Sequence, residues 1–592
     1  PNNAALRLLF EGGLLDHSRA EVMFGSTFPN DLSDMFVAMN LQRIKSFMQQ
    51  PISLVMVHCD SLYESLYDLL NQHYMEYAGQ RYVRIAHGSK AKQCPIHKLF
   101  RVIVITEISD AYFRLAPPLL NRFEKQIFLR KDLMTKSDEA LLARVTKFWI
   151  TLNELMNAGQ TVKDEDALEE ATKGPNTMLG TISHRPIAGY HPELLSSLVF
   201  TLRKTHQNST LEELTEIAKR VITWVLTPEA VCITAATLSP AEMQMKFGFD
   251  IVAEYFEQQR HSDLPSFAEM TVDKKEFWCD QFGSQALVMT YSPIRGKVGA
   301  ELSRTTNLVA RAEVSLHELS SSTDIEKAVH DFYSLQDTGG KKNFLIIHAD
   351  PVAASVRMIE HCRFVCEKAR NSFVQKGKGE EGSMFVVLVV HLQRGHDGKF
   401  SFDFDSQWSA VFLDSVEPSA DLSSMPSLGA MLNMPLIEVV EGLEFPKLLR
   451  SCFRSSLSRL MYPHSRRPDD LQKQIQLMLR YIEDDAFVKM VRDWVLYVLR
   501  TTPKNGDPEA GAVGDDKHWF AAIASAAQEL ALAGTFRAAL HGRVVVLVGS
   551  LVSALLAHLD RNAGLELLDV PIKREAWLKL STASLLSPLS TR

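Results

Sequence analysis

The feature that most limits this fold is a set of short apolar runs, almost uninterrupted, separated by helical patterns. Residues 52–57 read ISLVMV, 101–106 RVIVIT, 343–347 NFLII and 384–390 MFVVLVV. A strand apolar at every position is buried on both faces, whereas a strand with one face in water alternates. Such strands, separated by helices, predict α/β architecture: parallel sheets covered by helices on both faces. Further strands are predicted over 21–25, 126–129 and 410–416. Helices are predicted over 31–50 and 351–373, and after 57 by Leu62, Leu66, Leu69 and Leu70.

The pattern occurs twice. Each block has an apolar strand ending in His-x-Asp (His58-Cys59-Asp60 and His348-Ala349-Asp350), then a helix, then a second apolar strand. Between the blocks, residues 131–285 read as helical. The clearest helix runs through Leu211, Leu214, Ile217, Val221 and Val225, with Thr210 and Glu213 at capping-box spacing, and short loops predict an antiparallel bundle. From 447 onward the chain reads as helical again. Pro468 stands at a first helical position before Leu471, Ile475, Leu479 and Ile482, 502–516 is a linker, and helical spacing resumes at Trp519.

A chain of 592 residues exceeds one hydrophobic core, and its size predicts about three to five domains. The net charge of −7, without a Lys/Arg stripe, gives no footprint for DNA or other nucleic acid. The seven cysteines (Cys59, Cys94, Cys232, Cys279, Cys362, Cys366, Cys452) are odd in number and lack framework spacing, which predicts a reducing, cytoplasmic setting. Cys362 and Cys366 with His361 have no second pair at zinc spacing, so they read as core cysteines and no metal centre is expected. The longest apolar run, 544–559, lies between Arg543 and Asp560 and falls short of the roughly 20 residues of a bilayer span. It predicts a buried helix, with no transmembrane segment. An opening at Pro1 reads as a piece of a longer protein.

An acidic strand end beside a second strand with a polar end is the layout of nucleotide-hydrolysing α/β sheets, because ligands sit at carboxyl strand ends. Asp60 can hold Mg²⁺ directly or through water, and Glu64, four residues on, can orient the attacking water. The Thr106 hydroxyl can meet a γ-phosphate. Arg122, in LLNRFEK before the last predicted strand, is placed to act as an arginine finger on a neighbour's γ-phosphate. Each residue also has a plain reading: Asp60 as a helix cap, Glu64 as a solvated acid, Thr106 as a strand end and Arg122 as a surface ion-pair partner. The sequence contains no Gly-x-x-x-x-Gly-Lys-Ser/Thr loop. Its nearest phrase, Gly339-Gly340-Lys341-Lys342, leads into a strand and cannot cradle phosphate on a helix. Nor does it contain the paired Cys/His array of a RING.

Five phrases, FGSTFPND (24–31), LYESLYDLLNQ (62–72), APPLLNRFEK (116–125), GTFR (534–537) and LDRNAGLELL (559–568), resemble in order and separation the AAA+ core of the mysterin family of giant E3 ubiquitin-protein ligases. That family has six AAA+ units, of which the third and fourth keep nucleotide-binding character, followed by a RING-bearing module. The resemblance implies that 1–130 is a fourth-unit-like AAA+ large subdomain with a truncated phosphate loop and that 131–300 is its helical lid. It implies a degenerate fifth-like unit over 310–445 and a further lid over 446–592 running into another unit. The implied cofactors are ATP and Mg²⁺, with the phosphate loop expected upstream of Pro1. The implied partners are adjacent AAA+ units of the same polypeptide and, through a ligase module beyond this chain, a ubiquitin-conjugating enzyme. Glu64 and Arg122 fall on the family's glutamate and arginine, while Asp60 departs from it, standing where a neutral residue is expected. A catalytically inactive AAA+ scaffold and a dynein- or midasin-like mechanical ATPase without ligase activity are the alternatives.

Overall fold

A strand apolar on both sides needs a core on each side, and the first sheet has two. The computed structural model describes residues 3–16, 18–87, 90–127, 129–157, 186–257, 263–265, 267–268, 285–293, 298–300, 308–335, 342–351, 356–375, 384–393, 400–404, 407–416, 426, 428–460, 485–501 and 534–562. Strands β1 (Ala20–Phe24), β2 (Ser53–Val57), β3 (Met75–Tyr77), β4 (Gln80–His87), β5 (Lys90–Ile96) and β6 (Arg101–Ile105) form two sheets. In the first, ordered β1-β2-β6, all pairings are parallel. Leu54 and Met56 face a core with Met23, Leu41, Ile44, Val83 and Ile85. Val55 and Val57, alternating with them, face a second core with Leu6, Leu15 and Phe24. Helices α1 (Ala4–Glu11) and α2 (Asp34–Phe47) supply Leu6 to the one and Leu41 and Ile44 to the other.

The first block differs from the expectation in three places. Strands β3, β4 and β5 form an antiparallel sheet between β2 and β6 that was not anticipated. Its alternation is visible afterwards: Val83, Ile85, Cys94 and Ile96 are buried, while exposed polar residues such as Arg84 and Lys92 lie between them. Pro95 is tolerated because β5 is an edge strand. The helix expected after β2 is a 3-10 turn, Asp60–Leu62, followed by the short α3 (Tyr67–Leu70), and the four leucines are buried from turns as well as helix. The strand expected over 126–129 does not form at Gln126, Ile127 or Leu129. Ile127 is 65% exposed and no ladder partner meets it.

Five strands make the second sheet: β7 (Gln285–Thr290), β8 (Leu308–Ser315), β9 (Lys342–Ala349), β10 (Met384–His391) and β11 (Ser409–Leu413), all parallel, in the order β11-β7-β10-β9-β8. The expected parallel pairing of 343–347 with 384–390 is present, as is that of 52–57 with 101–106. Strand β7, although it lies in the 131–300 stretch that the resemblance implied to be a helical lid, runs beside β10 with all six residues buried. Among the described residues, further helices are α4 (Ile108–Phe113), α5 (Pro117–Leu120), α6 (Lys136–Asn157), α7 (Leu194–Thr205), α8 (Leu211–Trp224), α9 (Ser322–Tyr333) and α10 (Val356–Gln375). Helix α8 starts as the sequence dictates: Glu213 N–H donates to Thr210 Oγ1, and Thr210 N–H donates to Glu213 Oε2 at 2.9 Å.

By its internal contacts the chain divides into two compact units. Pro1–Ile150, Ile187–Val225 and Leu264–Glu417 hold every strand named above; Thr151–Pro186, Leu226–Asp263 and Pro418–Arg592 form the other unit. Among the described residues the regular elements of the second unit are helices, including Pro228–Thr237, Phe445–Leu460, Asp485–Thr501 and Phe536–Asn562. The predicted helix after Pro468, the 502–516 linker and the pattern from Trp519 lie outside the described residues. Phe536–Ala554 is long and apolar enough to cross a membrane by length and composition. Its buried residues recur at three- and four-residue spacing (Phe536, Leu540, Val544, Leu547, Leu551), and Ser553 Oγ lies 3.0 Å from Ser456 Oγ on Phe445–Leu460. That is the one-sided pattern of a core helix.

A buried charge cluster joins distant parts of the strand-bearing unit. Asp403, fully buried, lies 3.0 Å from Arg130 Nη2, 3.0 Å from His191 Nε2 and 3.6 Å from Arg7 Nη2. Burial alone would raise its carboxyl pKa. The His191 hydrogen bond and the charges of Arg130, His191 and Arg7 outweigh burial and hold it well below the ordinary carboxylate range. The folded pKa is thus depressed, so the contribution is full above the unfolded value of about 4 and is lost as pH falls below it. Asp403→Asn is expected to cost about 3–5 kcal/mol at neutral pH, because it leaves Arg130 buried beside a neutral amide. Chemical denaturation from pH 7 to pH 3 should show the penalty shrinking toward the acid end.

Candidate functional site at the carboxyl ends of the first sheet

Val57 and Ile105 are partners in register, so β2 and β6 end together and Asp60 and Thr106 leave the sheet at the same end. Asp60 begins the 3-10 turn with its side chain 42% exposed, and Thr106 is half-buried just before α4. Glu64 is exposed in the turn that follows. Arg122 is elsewhere: its guanidinium lies over the ring of Tyr67, 3.8 Å from the centroid, on the segment that also carries Glu64. The structure thus brings Asp60 and Thr106 to one sheet end and places Arg122 on the LYESLYD turn.

The close approach of β1 and β2 depends on Gly25. Its N–H donates to Val57 O at 2.8 Å, and a Cβ there would stand 1.7 Å from His58 O. His58 itself has φ 54, a left-handed conformation costing about 1 kcal/mol or more for a residue with a side chain. A hydrogen bond offsets this: His58 Nε2 lies 3.0 Å from Glu360 Oε2 on α10, both side chains being 7% exposed.

Sequence reading did not find the residues that meet this sheet end from the second block. Arg357, in the first turn of α10, donates through Nη1 to Asp60 Oδ2 and through Nη2 to Asp110 Oδ2, both at 3.0 Å. Burial would raise the Asp110 carboxyl, but the Arg357 hydrogen bond and charge, with Arg114, hold it below its usual value. His361, one residue past Glu360, stacks on Phe24 with centroids 5.5 Å apart, and burial pushes its pKa down to about 4, so it is neutral. Arg357, Glu360 and His361 have i, i+3, i+4 spacing and share one helix face. That spacing was legible; their partners, some 300 positions away, were not. Cys362 and Cys366 are fully buried on the same helix.

The second sheet ends differently. Glu313 accepts hydrogen bonds from the backbone N–H groups of Val298 and Gly299 at 3.0 and 2.9 Å and lies 2.9 Å from His348 Nε2. His348 Nδ1 is 3.0 Å from His391 Nε2, and His391 Nδ1 is 2.6 Å from Ser292 O. The two His-x-Asp phrases therefore share a place in the topology but not a role. In the first block the histidine bonds to α10; in the second it joins a buried relay of internal partners.

Asp31, in the FGSTFPND phrase, caps a helix of the second block. It accepts from Ser322 N at 2.7 Å and from Ser321 Oγ at 2.8 Å, at the start of α9, and also from Ser26 Oγ. These bonds hold its carboxyl below the usual range against the opposing effect of burial. Asp31→Ala removes a cap acceptor and a charge at a helix N-terminus, with an expected loss of about 1–2 kcal/mol in denaturant unfolding. Asp31→Ser should recover part of that loss.

Residues 1–134 match the RNF213 AAA domain family. Over 98% of the chain the sequence is 23% identical to the E3 ubiquitin-protein ligase RNF213 of Mus musculus, and over 99% it is 23% identical to that of Homo sapiens. It is 33% identical over 151 residues to the E3 ubiquitin-protein ligase rnf213-beta of Danio rerio, a stretch covering 25% of this chain and 3% of that relative. The chain spans 12% of the length of the mouse and human relatives. A mixed α/β structure with two parallel sheets is consistent with an AAA-like fold. The chain is thus similar to RNF213 proteins over nearly its whole length, and its first 134 residues match their AAA domain.

Proposed function

We propose that this chain serves in the AAA+ ATPase core of a mysterin-like E3 ubiquitin-protein ligase, where it supplies part of a nucleotide site and an arginine to the preceding unit. The observation supporting this most is the common end of β2 and β6, since Asp60 and Thr106 follow those two strands at the same end of the sheet. A hard cation takes oxygen ligands, and a carboxylate and a hydroxyl at neighbouring strand ends fit the magnesium side of a bound triphosphate. The residues fit only that side, since no Gly-Lys-Ser/Thr phosphate loop is in the sequence. ATP with Mg²⁺, when bound, would supply the phosphoanhydride and the metal that neutralises its charge. Asp60 would hold the cation side, Thr106 would contact phosphate and Glu64 would orient water.

In this reading residues 1–130 are a large subdomain, the helices from 131 form its lid, 310–445 with β7 form a degenerate unit, and 446–592 lead into another. Neighbouring AAA+ units of the same polypeptide and, through a separate ligase module, a ubiquitin-conjugating enzyme are the partners, in the cytoplasm. A scaffold that no longer turns over nucleotide is the second reading, favoured by the pairing of Asp60 with Arg357.

Two outcomes test the proposal. The isolated 592-residue chain should neither hydrolyse ATP nor transfer ubiquitin; steady turnover abolished by Glu64→Ala would contradict the partial-site reading. In the full-length protein, Arg122→Ala and Arg122→Lys should both lower ATP turnover by about 10³-fold at the site they serve, since an ammonium does not reproduce a planar forked contact. Loss of the Tyr67 stacking costs about 1 kcal/mol, so both variants should stay folded. Wild-type turnover in Arg122→Ala would leave Arg122 as a residue that only packs on Tyr67.

A further inference from the structure

One face of α10 meets all three strand ends of the first sheet. His361 stacks on Phe24 at the end of β1, Glu360 bonds to His58 at the end of β2, and Arg357 joins Asp60 to Asp110, which lies beyond β6 on α4. The first two contacts are nearly closed to solvent. The third is not: Asp60 is 42% exposed, while Arg357 and Asp110 are each 17% exposed. The open member of the grip is thus the carboxylate suited to a divalent cation.

We propose that Arg357 is a built-in competitor for that cation. A guanidinium and a divalent cation drawn to one carboxylate share its charge and repel each other at close range, the more so where half-buried surroundings screen them weakly. Arg357 has a second anchor in Asp110, so it can give up Asp60 without becoming an unpaired buried charge. Cation–nucleotide binding at Asp60 therefore loosens the first turn of α10, and the second α/β block registers whether the first is loaded. The coupling is reciprocal: whatever pulls α10 from the strand ends raises the affinity of Asp60 for the cation. This inference rests on the nucleotide reading of Asp60 given above.

Hydrogen exchange of the full-length protein, titrated with Mg²⁺ at saturating ATP and read on peptides covering 53–60 and 356–361, tests it. In the wild type, Mg²⁺ should protect 53–60 and increase exchange in 356–361 over the same concentration range. In Arg357→Gln, the Mg²⁺ concentration that half-protects 53–60 should fall about fivefold or more, with a smaller fall in Arg357→Lys, which keeps charge but not the fork. Protection of 53–60 with 356–361 unchanged, or with no shift in either variant, overturns the competition and leaves the nucleotide reading intact. Absence of any Mg²⁺ response at 53–60 overturns both.

Discussion

The packing of the first turns of α10 against the strand ends of the other sheet is the constraint on which the strand-bearing unit depends. An α/β sheet exposes unpaired polar groups and short turns at its carboxyl ends, and those ends are where such sheets hold ligands. Here the same end takes three side chains from a helix of the next block. The contact is built from unlike interactions: a neutral imidazole on a phenyl ring, a shielded His–Glu pair and a guanidinium between two carboxylates. It also explains local features that are otherwise costly. His58 keeps a left-handed backbone because its ring has Glu360 to bind, and position 25 must be glycine because the turn carrying His58 lies against it.

The FGSTFPND phrase acquires a physical meaning from this arrangement. Gly25 allows the close approach, Ser26 and Asp31 form a hydrogen-bonded loop, and Asp31 caps α9 in the second block. A phrase of eight residues thus serves contacts both within its own sheet and to the next. The buried Asp403 cluster adds a second tie between α1, the Arg130 turn and the loop near Phe402. Neither tie is a stretch of apolar surface. Both depend on charge and hydrogen-bond geometry, and disturbing one partner leaves another buried and unsatisfied.

Strands apolar on both faces were legible in the sequence because burial on both faces leaves no polar position: β2, β9 and β10 are such strands, β6 is apolar but only half-buried at the sheet edge, and all four pair as expected. The β3–β5 sheet was missed because buried Val83 and Ile85, and buried Cys94 and Ile96, alternate with other neighbours and leave no continuous apolar run to mark the strands. The 126–129 run failed because an apolar tetrapeptide is a strand only where a neighbouring strand receives it, and Ile127 stands exposed. At the candidate site, Asp60 and Thr106 could be placed from strand ends alone. Arg357, Glu360 and His361 could not, since their roles come from residues about 300 positions earlier, and one sequence holds no signal for that pairing. Arg122 was legible as a residue in a family phrase, while its stacking on Tyr67 was not.

Helix α10 meets the carboxyl ends of the first sheet through Arg357, Glu360 and His361. An experimental map of the full-length protein without nucleotide, at a resolution that separates side chains, tests this most directly. In that map the Arg357 guanidinium should lie between the Asp60 and Asp110 carboxylates, with Glu360 on His58 and His361 against Phe24. A map in which α10 stands away from the ends of β1, β2 and β6, or in which Arg357 points to solvent while Glu360 leaves His58, would contradict it.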